Sequence, residues 1–357
     1  MSEELKKLRK EIDRIDKEIL RLLNERAELV IKVGQKKREK NIPLVDPVRE
    51  KEIMTRLLSL NRGPLKDKHI RGIYREILAS SVDIQRPLTI AYLGPEATFT
   101  HQAARRKFGH GAEYIPLSSI EEVFREVERD RATYGVVPVE NSTEGVETHT
   151  LDMFVESDLK VCDEIILRIV HHLLSPSPLS RIQRVYSHPQ AIAQCKGWLK
   201  ENLPRAEIIP VYSTAGAVKK LKDDPEGGAI ASELASEVYG IPIQVRSIED
   251  RTLNFTRFLV LGKEERGRTG KDKTSIMFAL KDEVGALFRA LESFSRNEIN
   301  LTKIESRPSK RRPWEYYFFV DLEGHREEER VRKALEELSS KTTILKILGS
   351  YPRREEE

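Results

Sequence analysis

Leu5, Leu8, Ile12, Ile15, Ile19 and Leu22 follow one another at alternating steps of three and four residues, the period of one face of an α-helix. The next position in the series is Arg26, a cation where the pattern asks for core, and the series resumes at Leu29 and Val33. Lys37 stands eleven residues beyond Arg26, about three turns along and on nearly the same face. No proline and only Gly34 interrupts residues 3–40, which predicts a single helix about 55 Å long. Such a rod exceeds the width of the segment it belongs to, so much of its apolar seam needs a cover, most simply a second copy of itself. Arg26 alone has two readings: a polar seam residue can fix register or partner number, or, with Lys37, it can line an anion site.

The pattern then changes twice. Asn41-Ile42-Pro43 breaks the first helix, and Asp46-Pro47 reads as an N-cap followed by proline at the first helical position. A second helix ends at Arg62-Gly63-Pro64, and a third, from about 66 to 84, turns Ile70, Ile73, Ile77 and Leu78 inward before Arg86-Pro87. From 88 onward short apolar strands at 88–93, 134–139, 184–187, 207–212, 229–231 and 258–261 alternate with amphipathic helices. That alternation predicts parallel sheets covered by helices, here in two α/β lobes around a cleft. Residues 262–273 are polar and read as a linker. Beyond them comes strand, helix, strand, strand, helix, strand at 275–280, 286–296, 301–307, 316–322, 327–341 and 343–350, the α+β ferredoxin-like order. The expected architecture is therefore multidomain: all-α at 1–86, two-lobed α/β of the periplasmic-binding-protein type at 88–262, and α+β at 272–357.

Composition narrows the function classes. Of 357 residues 39% are hydrophobic and 34% charged, and 62 basic residues nearly balance 58 acidic ones, which gives no electrostatic footprint for nucleic acid. There is no run of 18 apolar residues, and a charged helix stands where a signal peptide would, so no membrane is expected and the expected location is cytoplasmic. Cys162 and Cys195 lack metal-ligand spacing and read as reduced, buried thiols. No phosphate loop, dinucleotide fingerprint or metal cluster appears, so no cofactor and no metal is expected.

In the helical segment the candidate residues are Arg9, Arg26, Lys37, Asp46, Arg49, Glu50, Ser81 and Gln85. Asp46, Arg49 and Glu50 share a face at i, i+3 and i+4, and Ser81 and Gln85 repeat the four-residue step. Several cations, two carboxylates and an amide suit a small dianion that carries a hydroxyl. No nucleophile is paired with a base, so such a site positions its substrate and stabilises charge. In the middle segment Leu93-Gly94-Pro95-Glu96-Ala97-Thr98-Phe99-Thr100-His101 forms a strand-to-helix turn. Val137-Pro138-Val139-Glu140-Asn141-Ser142-Thr143, Ser187-His188-Pro189-Gln190 and Tyr212-Ser213-Thr214-Ala215-Gly216-Ala217 follow further strands. Asn254-Phe255-Thr256-Arg257-Phe258 is either a turn before a final strand or a hydroxyl held in a dry anionic pocket. In the last segment Gly285-Ala286-Leu287 opens a helix and Glu305-Ser306-Arg307-Pro308 ends a strand.

Residues 3–86 resemble the small all-helical chorismate mutases, through Arg9, Arg26, Lys37, Asp46-Pro47-Val48-Arg49-Glu50, Ser81 and Gln85 in order. The resemblance implies an intertwined dimer in which Arg26, and Arg9 from the other chain, hold two carboxylates. Lys37 and Gln85 would donate to the ether oxygen as the carbon–oxygen bond breaks, and Glu50, near Asp46, would take the hydroxyl. Arg49 and Ser81 would support the carboxylates and the site wall.

Residues 88–262 are similar to prephenate dehydratases in the turns quoted above. That likeness makes Thr256 the catalytic hydroxyl and Arg257 a ligand of the substrate carboxylate, with Thr98, Glu140, Asn141, Ser213 and Thr214 in the cleft. Ala97 departs from the glycine usual in that family, which bears on the backbone of its turn. Gly285-Ala286-Leu287 and Glu305-Ser306-Arg307-Pro308 resemble the two phenylalanine-contacting motifs of ACT regulatory domains, although each is also an ordinary helix start and strand edge. Together the resemblances imply conversion of chorismate to prephenate and then to phenylpyruvate, with L-phenylalanine as inhibitor and at least a homodimer. The alternative is a ligand-responsive regulator with a helical DNA-binding unit, which would need a compact helix-turn-helix rather than a ~38-residue helix. A solute-binding protein is a third reading, and it leaves the cations of the first segment without a purpose.

Overall fold

The computed structural model describes residues 3–39, 46–85, 88–143, 145–309 and 315–354. They form two compact units, Met1–Leu88 with Phe108–Ala112, and Thr89–Lys107 with Glu113–Glu357. The breaks expected at Asn41-Ile42-Pro43 and Arg86-Pro87 lie outside the described residues.

The first unit contains the helices α1 (Glu3–Glu39), α2 (Pro47–Leu60) and α3 (Asp67–Gln85). Asp46 caps α2 by accepting the Arg49 amide at 3.0 Å, which satisfies one of the donors that a helix start leaves open. Among the described residues no apolar side chain of these three helices is buried; the buried positions are Gly34 and Ser81. Leu5, Leu8, Ile12, Ile15, Ile19, Leu22, Leu29 and Val33 are all exposed. Residues of α1 that lose solvent include Arg26, Val30, Gly34 and Lys37, so the covered face is rotated from the seam read in the sequence. On α3, Ile70, Ile77 and Leu78 are half-buried, whereas Ile73, expected inward, is exposed.

The second unit opens with β1 (Thr89–Leu93), α4 (Phe99–Phe108), β2 (Glu113–Leu117), α5 (Ile120–Glu128), β3 (Tyr134–Asn141), β4 (Gly145–Val146), α6 (Thr148–Glu156) and β5 (Lys160–Arg168). A second lobe follows: β6 (His172–Leu174), a 3-10 turn at Leu179–Arg181, β7 (Arg184–Ser187), α7 (Pro189–Gln194), α8 (Lys196–Asn202), β8 (Glu207–Pro210), α9 (Thr214–Lys220), β9 (Gly227–Ala231), α10 (Glu233–Tyr239) and β10 (Ile243–Val245). The chain then returns as β11 (Phe255–Gly262). The lobe sheets run β2-β1-β3-β11-β5, with β4 on β3, and β10-β6-β9-β7-β8.

Both sheets are mixed, not parallel as the alternation of elements suggested. The returning β11 runs antiparallel to β3 and β5, and β6 is antiparallel to β9 and β10. Thr256 therefore sits inside a strand instead of a turn. The strand β5 escaped the sequence reading because Asp163 and Glu164 sit in its middle, buried to 3% and 1% exposure.

The chain ends in β12 (Asp272–Ala279), α11 (Ala286–Arg296), β13 (Leu301–Pro308), β14 (Tyr316–Glu323), α12 (Glu329–Lys341) and β15 (Ile344–Pro352), in sheet order β13-β14-β12-β15. One face carries Ile276, Phe278, Val320 and Leu322 into a core with Phe294, Val331 and Leu338 of α11 and α12. The other face carries Met277, Phe319, Leu348 and Tyr351 into one core with Val139, Phe154, Val161 and Leu259 of the first lobe. This terminal sheet is thus half of a shared core and not a module hung on a loose tether. The polar stretch before it is also anchored, since buried Arg266 donates to Tyr134 Oη at 2.7 Å and lies over that ring. Among the described residues no helix is long and apolar enough to cross a membrane.

Candidate active sites

In the first unit, Arg26 of α1 donates to Ser81 Oγ of α3, and Ser81 in turn donates to the Ile77 carbonyl at 2.5 Å. Gln85 Nε2 donates to the Ser81 carbonyl at 2.8 Å, so Arg26, Ser81 and Gln85 are brought together at the α1–α3 contact. Gly34 makes room for this: a Cβ there would stand 2.6 Å from Gln85 Cγ. Lys37 and Glu50 are half-buried. Asp46 spends one carboxylate oxygen on the α2 cap, and exposed Arg49 pairs with Glu52 at 2.9 Å. Arg9 is seventeen residues from Arg26 on the same helix, a separation of about 25 Å along the axis. One chain cannot bring both to one small ligand.

In the second unit β11 and β3 align Thr256 opposite Asn141. Asn141 Nδ2 donates to Thr256 Oγ1 at 2.8 Å and to Asn254 Oδ1 at 2.9 Å. Asn141 Oδ1 accepts from the Thr143 amide and hydroxyl at 2.9 and 2.6 Å, which fixes its orientation. Asn254 Nδ2 donates to Gln194 Oε1 at 2.9 Å, and the ring of His171 donates to the same oxygen from Nε2 at 2.8 Å. Burial lowers the His171 pKa, which favours the neutral ring. A hydroxyl has one proton and two lone pairs; with a lone pair engaged by Asn141, Thr256 can still aim its proton at a bound hydroxyl.

Three members of this chain were not candidates in the sequence. Asn254 stands two residues before Thr256, and no pattern in the sequence marks it. Gln194 lies one helical step beyond Gln190, at the end of the helix that the Ser187-His188-Pro189-Gln190 turn opens, so the period carried its signal. Nothing in the sequence marked His171. Among the described residues Thr98, Ser213 and Thr214 take no place in the chain: Thr98 donates to the Leu93 carbonyl at 3.3 Å, Ser213 caps α9 through the Gly216 amide at 2.9 Å, and Thr214 is buried. Ala97, where glycine was the expected residue, has φ 67°, a left-handed conformation that costs an alanine about 1–2 kcal/mol. Its methyl is fully buried in the second lobe's core.

Arg257 and Glu140 both bond to residues of the terminal sheet. Successive strand residues point to opposite faces, so Arg257 turns away from Thr256, with its side chain 12% exposed. It donates to Glu164 at 2.7 Å, to Asp321 at 2.5 Å and to Tyr351 Oη at 2.8 Å. Glu140, aligned with Arg257 on β3, accepts from Lys303 at 3.0 Å. Both residues thus bond to the terminal sheet at the edge of the shared core.

In the terminal sheet Gly285 caps α11 at φ 76°, a conformation that glycine adopts without strain. Ala286 and Leu287 follow it half-buried, and Leu287 packs on the helix-side core. On the edge strand β13, Glu305 is half-buried while Ser306 and Pro308 are exposed. Arg307 faces the first lobe and binds Asp152 at 3.2 Å, so a protein carboxylate occupies a group expected to meet an effector. Among the described residues no cluster of three or more His, Cys, Asp or Glu is placed to hold a metal ion.

Comparison with known proteins gives matches along most of the chain. Residues 8–86 match the family model of chorismate mutase type II, 90–266 that of prephenate dehydratase, and 274–340 that of the ACT domain. A bifunctional chorismate mutase/prephenate dehydratase of Aquifex aeolicus is 55% identical over 356 residues, 98% of each chain. One of Stutzerimonas stutzeri is 42% identical over 359 residues, 99% of this chain and 98% of its own. The crystal structure of a prephenate dehydratase from Arthrobacter aurescens in complex with L-Phe superposes with a TM-score of 0.70 at 34% identity, covering 74% of this chain and 90% of that one.

Proposed function

The chain belongs to the family of bifunctional chorismate mutase/prephenate dehydratases, and on that premise we propose which of its residues carry each activity. It rearranges chorismate to prephenate and converts prephenate to phenylpyruvate. In the second reaction the ring hydroxyl leaves as water after taking a proton. The ring carboxylate leaves as carbon dioxide, and the electrons of its broken bond complete the aromatic ring. The protein's task is to deliver that proton and to hold the carboxylate out of the ring plane.

The observation that carries the dehydratase assignment is the Asn141–Thr256 hydrogen bond, which engages Thr256 as acceptor and orients its proton for donation. Asn254 and Gln194 hold Asn141 from behind. In the mutase, Arg26 grips a substrate carboxylate beside Ser81, and Lys37 and Gln85 stabilise the negative charge that grows on the ether oxygen. Arg9 completes the site from a second copy, a reading supported by its distance from Arg26 and by the exposed seam of α1. An apolar face of this length, on three helices that bury no apolar side chain among the described residues, suits permanent association. L-Phenylalanine inhibits by binding at Gly285 and the edge of β13, and the two buried free cysteines suit a reducing cytoplasm.

The test measures both reactions in one preparation. Thr256→Ala removes dehydration and leaves chorismate turnover intact, whereas Lys37→Ala does the reverse. Equal loss of both activities in either variant sinks the two-site assignment.

A further inference from the structure

Thr256 and Arg257 are neighbours in sequence but work on opposite faces of β11. The face behind Thr256 is closed by the ACT sheet. Arg257 reaches Asp321 on β14 and Tyr351 on β15, as well as Glu164 on β5. Lys273 of β12 donates to both oxygens of Glu164 at 3.1 and 2.9 Å. Ser275 bonds Asp321 Oδ1 and Tyr351 Oη at 2.5 and 2.6 Å. Each charge is thus paired and further hydrogen-bonded, the condition under which a buried ionic cluster holds a single geometry. Next to it, Lys303 of β13 binds Glu140, the residue before Asn141.

The two groups that set the Thr256 hydroxyl, its own strand and Asn141, are therefore each clamped from behind by the ACT sheet. We propose that Arg257 is a positioning residue for dehydration: it fixes β11 in the register that sets Thr256 Oγ1 against Asn141, and it does so through Asp321 and Tyr351 of the ACT sheet. A displacement of the strand by a fraction of an ångström misaims the proton, and misplacement of about 1 Å can cost on the order of 100-fold in rate. The ACT sheet thereby sets the rate of prephenate turnover without touching prephenate.

Kinetics of full-length variants separate this role from that of a carboxylate ligand. Asp321→Asn and Arg257→Lys are expected to lower kcat for prephenate at least tenfold with KM within twofold of the parent, and Tyr351→Phe to lower it several-fold. Chorismate turnover in the same samples stays unchanged. A tenfold rise in KM for Arg257→Lys, with Asp321→Asn indistinguishable from the parent, overturns the proposal and makes Arg257 a substrate ligand. Because loss of a buried charge can unfold a protein, Lys303→Met at the rim of the cluster is measured alongside, with thermal melts on every variant. In that folded variant a fall in kcat at constant KM supports the clamp, and unaltered kcat refutes it.

Discussion

Gly34→Ala tests whether the packing of α1 on α3 positions Gln85 for the mutase reaction. The added methyl would stand 2.6 Å from Gln85 Cγ and 3.0 Å from its Cβ, where ordinary contact begins at 3.4 Å. Gln85 must retreat by about 0.8 Å, the difference between 2.6 and 3.4 Å. An amide moved that far from the breaking ether bond loses transition-state stabilisation worth on the order of 10- to 100-fold in rate. Stability falls by about 0–2 kcal/mol net, since alanine gains about 1 kcal/mol over glycine within a helix while overpacking costs about 1–3 kcal/mol, so thermal melts accompany the kinetics. The assay follows chorismate loss and, separately, phenylpyruvate formation from added prephenate, which stays at the parent rate. The double variant Gly34→Ala/Gln85→Ala is the control: once Gln85 is truncated, the 2.6 Å clash with Cγ is gone and only the 3.0 Å approach to Cβ remains, so the two effects are not additive. A folded Gly34→Ala protein whose mutase kcat/KM stays within twofold of the parent refutes the role given to Gln85.

Four other expectations follow from the geometry. A Cβ at Gly349 of β15 would stand 2.2 Å from the Val161 carbonyl oxygen, a backbone clash that no rotamer relieves, so Gly349→Ala costs about 3 kcal/mol and lowers Tm by about 6–12 °C; an unshifted melt disproves the close approach. Burial first, and Arg105 second, push His101 down to about 4; the unfolded chain then takes up a proton near pH 6.5 that the native ring refuses. Stability is present in full above that pH and falls as pH drops toward 4, by about 2 kcal/mol at pH 5. The fall in urea midpoint from pH 7 to 5 should be smaller in His101→Asn than in the parent, with buried His171 and His172 keeping their share, and an equal drop in parent and variant rejects the assignment. Asp152→Asn, which releases Arg307, should raise the L-phenylalanine concentration for half-inhibition several-fold with the uninhibited rate within twofold, and unchanged inhibition removes that ion pair from the regulatory route. Paired charges on the open seam, Ile12→Asp with Ile15→Asp, should yield a smaller species on sizing that has lost mutase activity; full mutase activity in a monomer excludes a shared Arg9.

Sequence periodicity located the elements where one face repeats. The 37-residue α1 and the order of the terminal sheet both follow from it, because a single period runs unbroken through each. It located the α1 seam but not the face that meets α3, since Val30 and Gly34 lie one position along from Leu29 and Val33, a rotation of about 100° that apolar spacing alone does not resolve. Strand β5 was illegible for a different reason. Lys160–Arg168 places Asp163 and Glu164 at its centre, and charges that are buried only because Lys107, Arg354, Arg257 and Lys273 arrive from distant elements look locally like solvent. The direction of β11 likewise depends on where the chain re-enters the first lobe, which no local pattern records.

The same limit explains why Arg257 reads one way in sequence and another in space. A threonine beside an arginine reads as two halves of one polar site, and for a turn that inference is sound. Within a strand, adjacency means opposite faces, so finding Thr256 in β11 is enough to separate the two residues before any partner is known. The partners support the positioning role proposed for Arg257, since its guanidinium binds two buried carboxylates and a buried tyrosine hydroxyl. Burial and Arg257, with Lys273 beyond it, act in opposite senses on Asp321, and the cations prevail to hold its carboxyl below the ordinary value, so Asp321 stays ionised through the neutral range. In the proposed reading, regulation and catalysis meet on one strand without sharing a surface: Thr256 faces Asn141 on one side, and the ACT sheet holds the strand from the other.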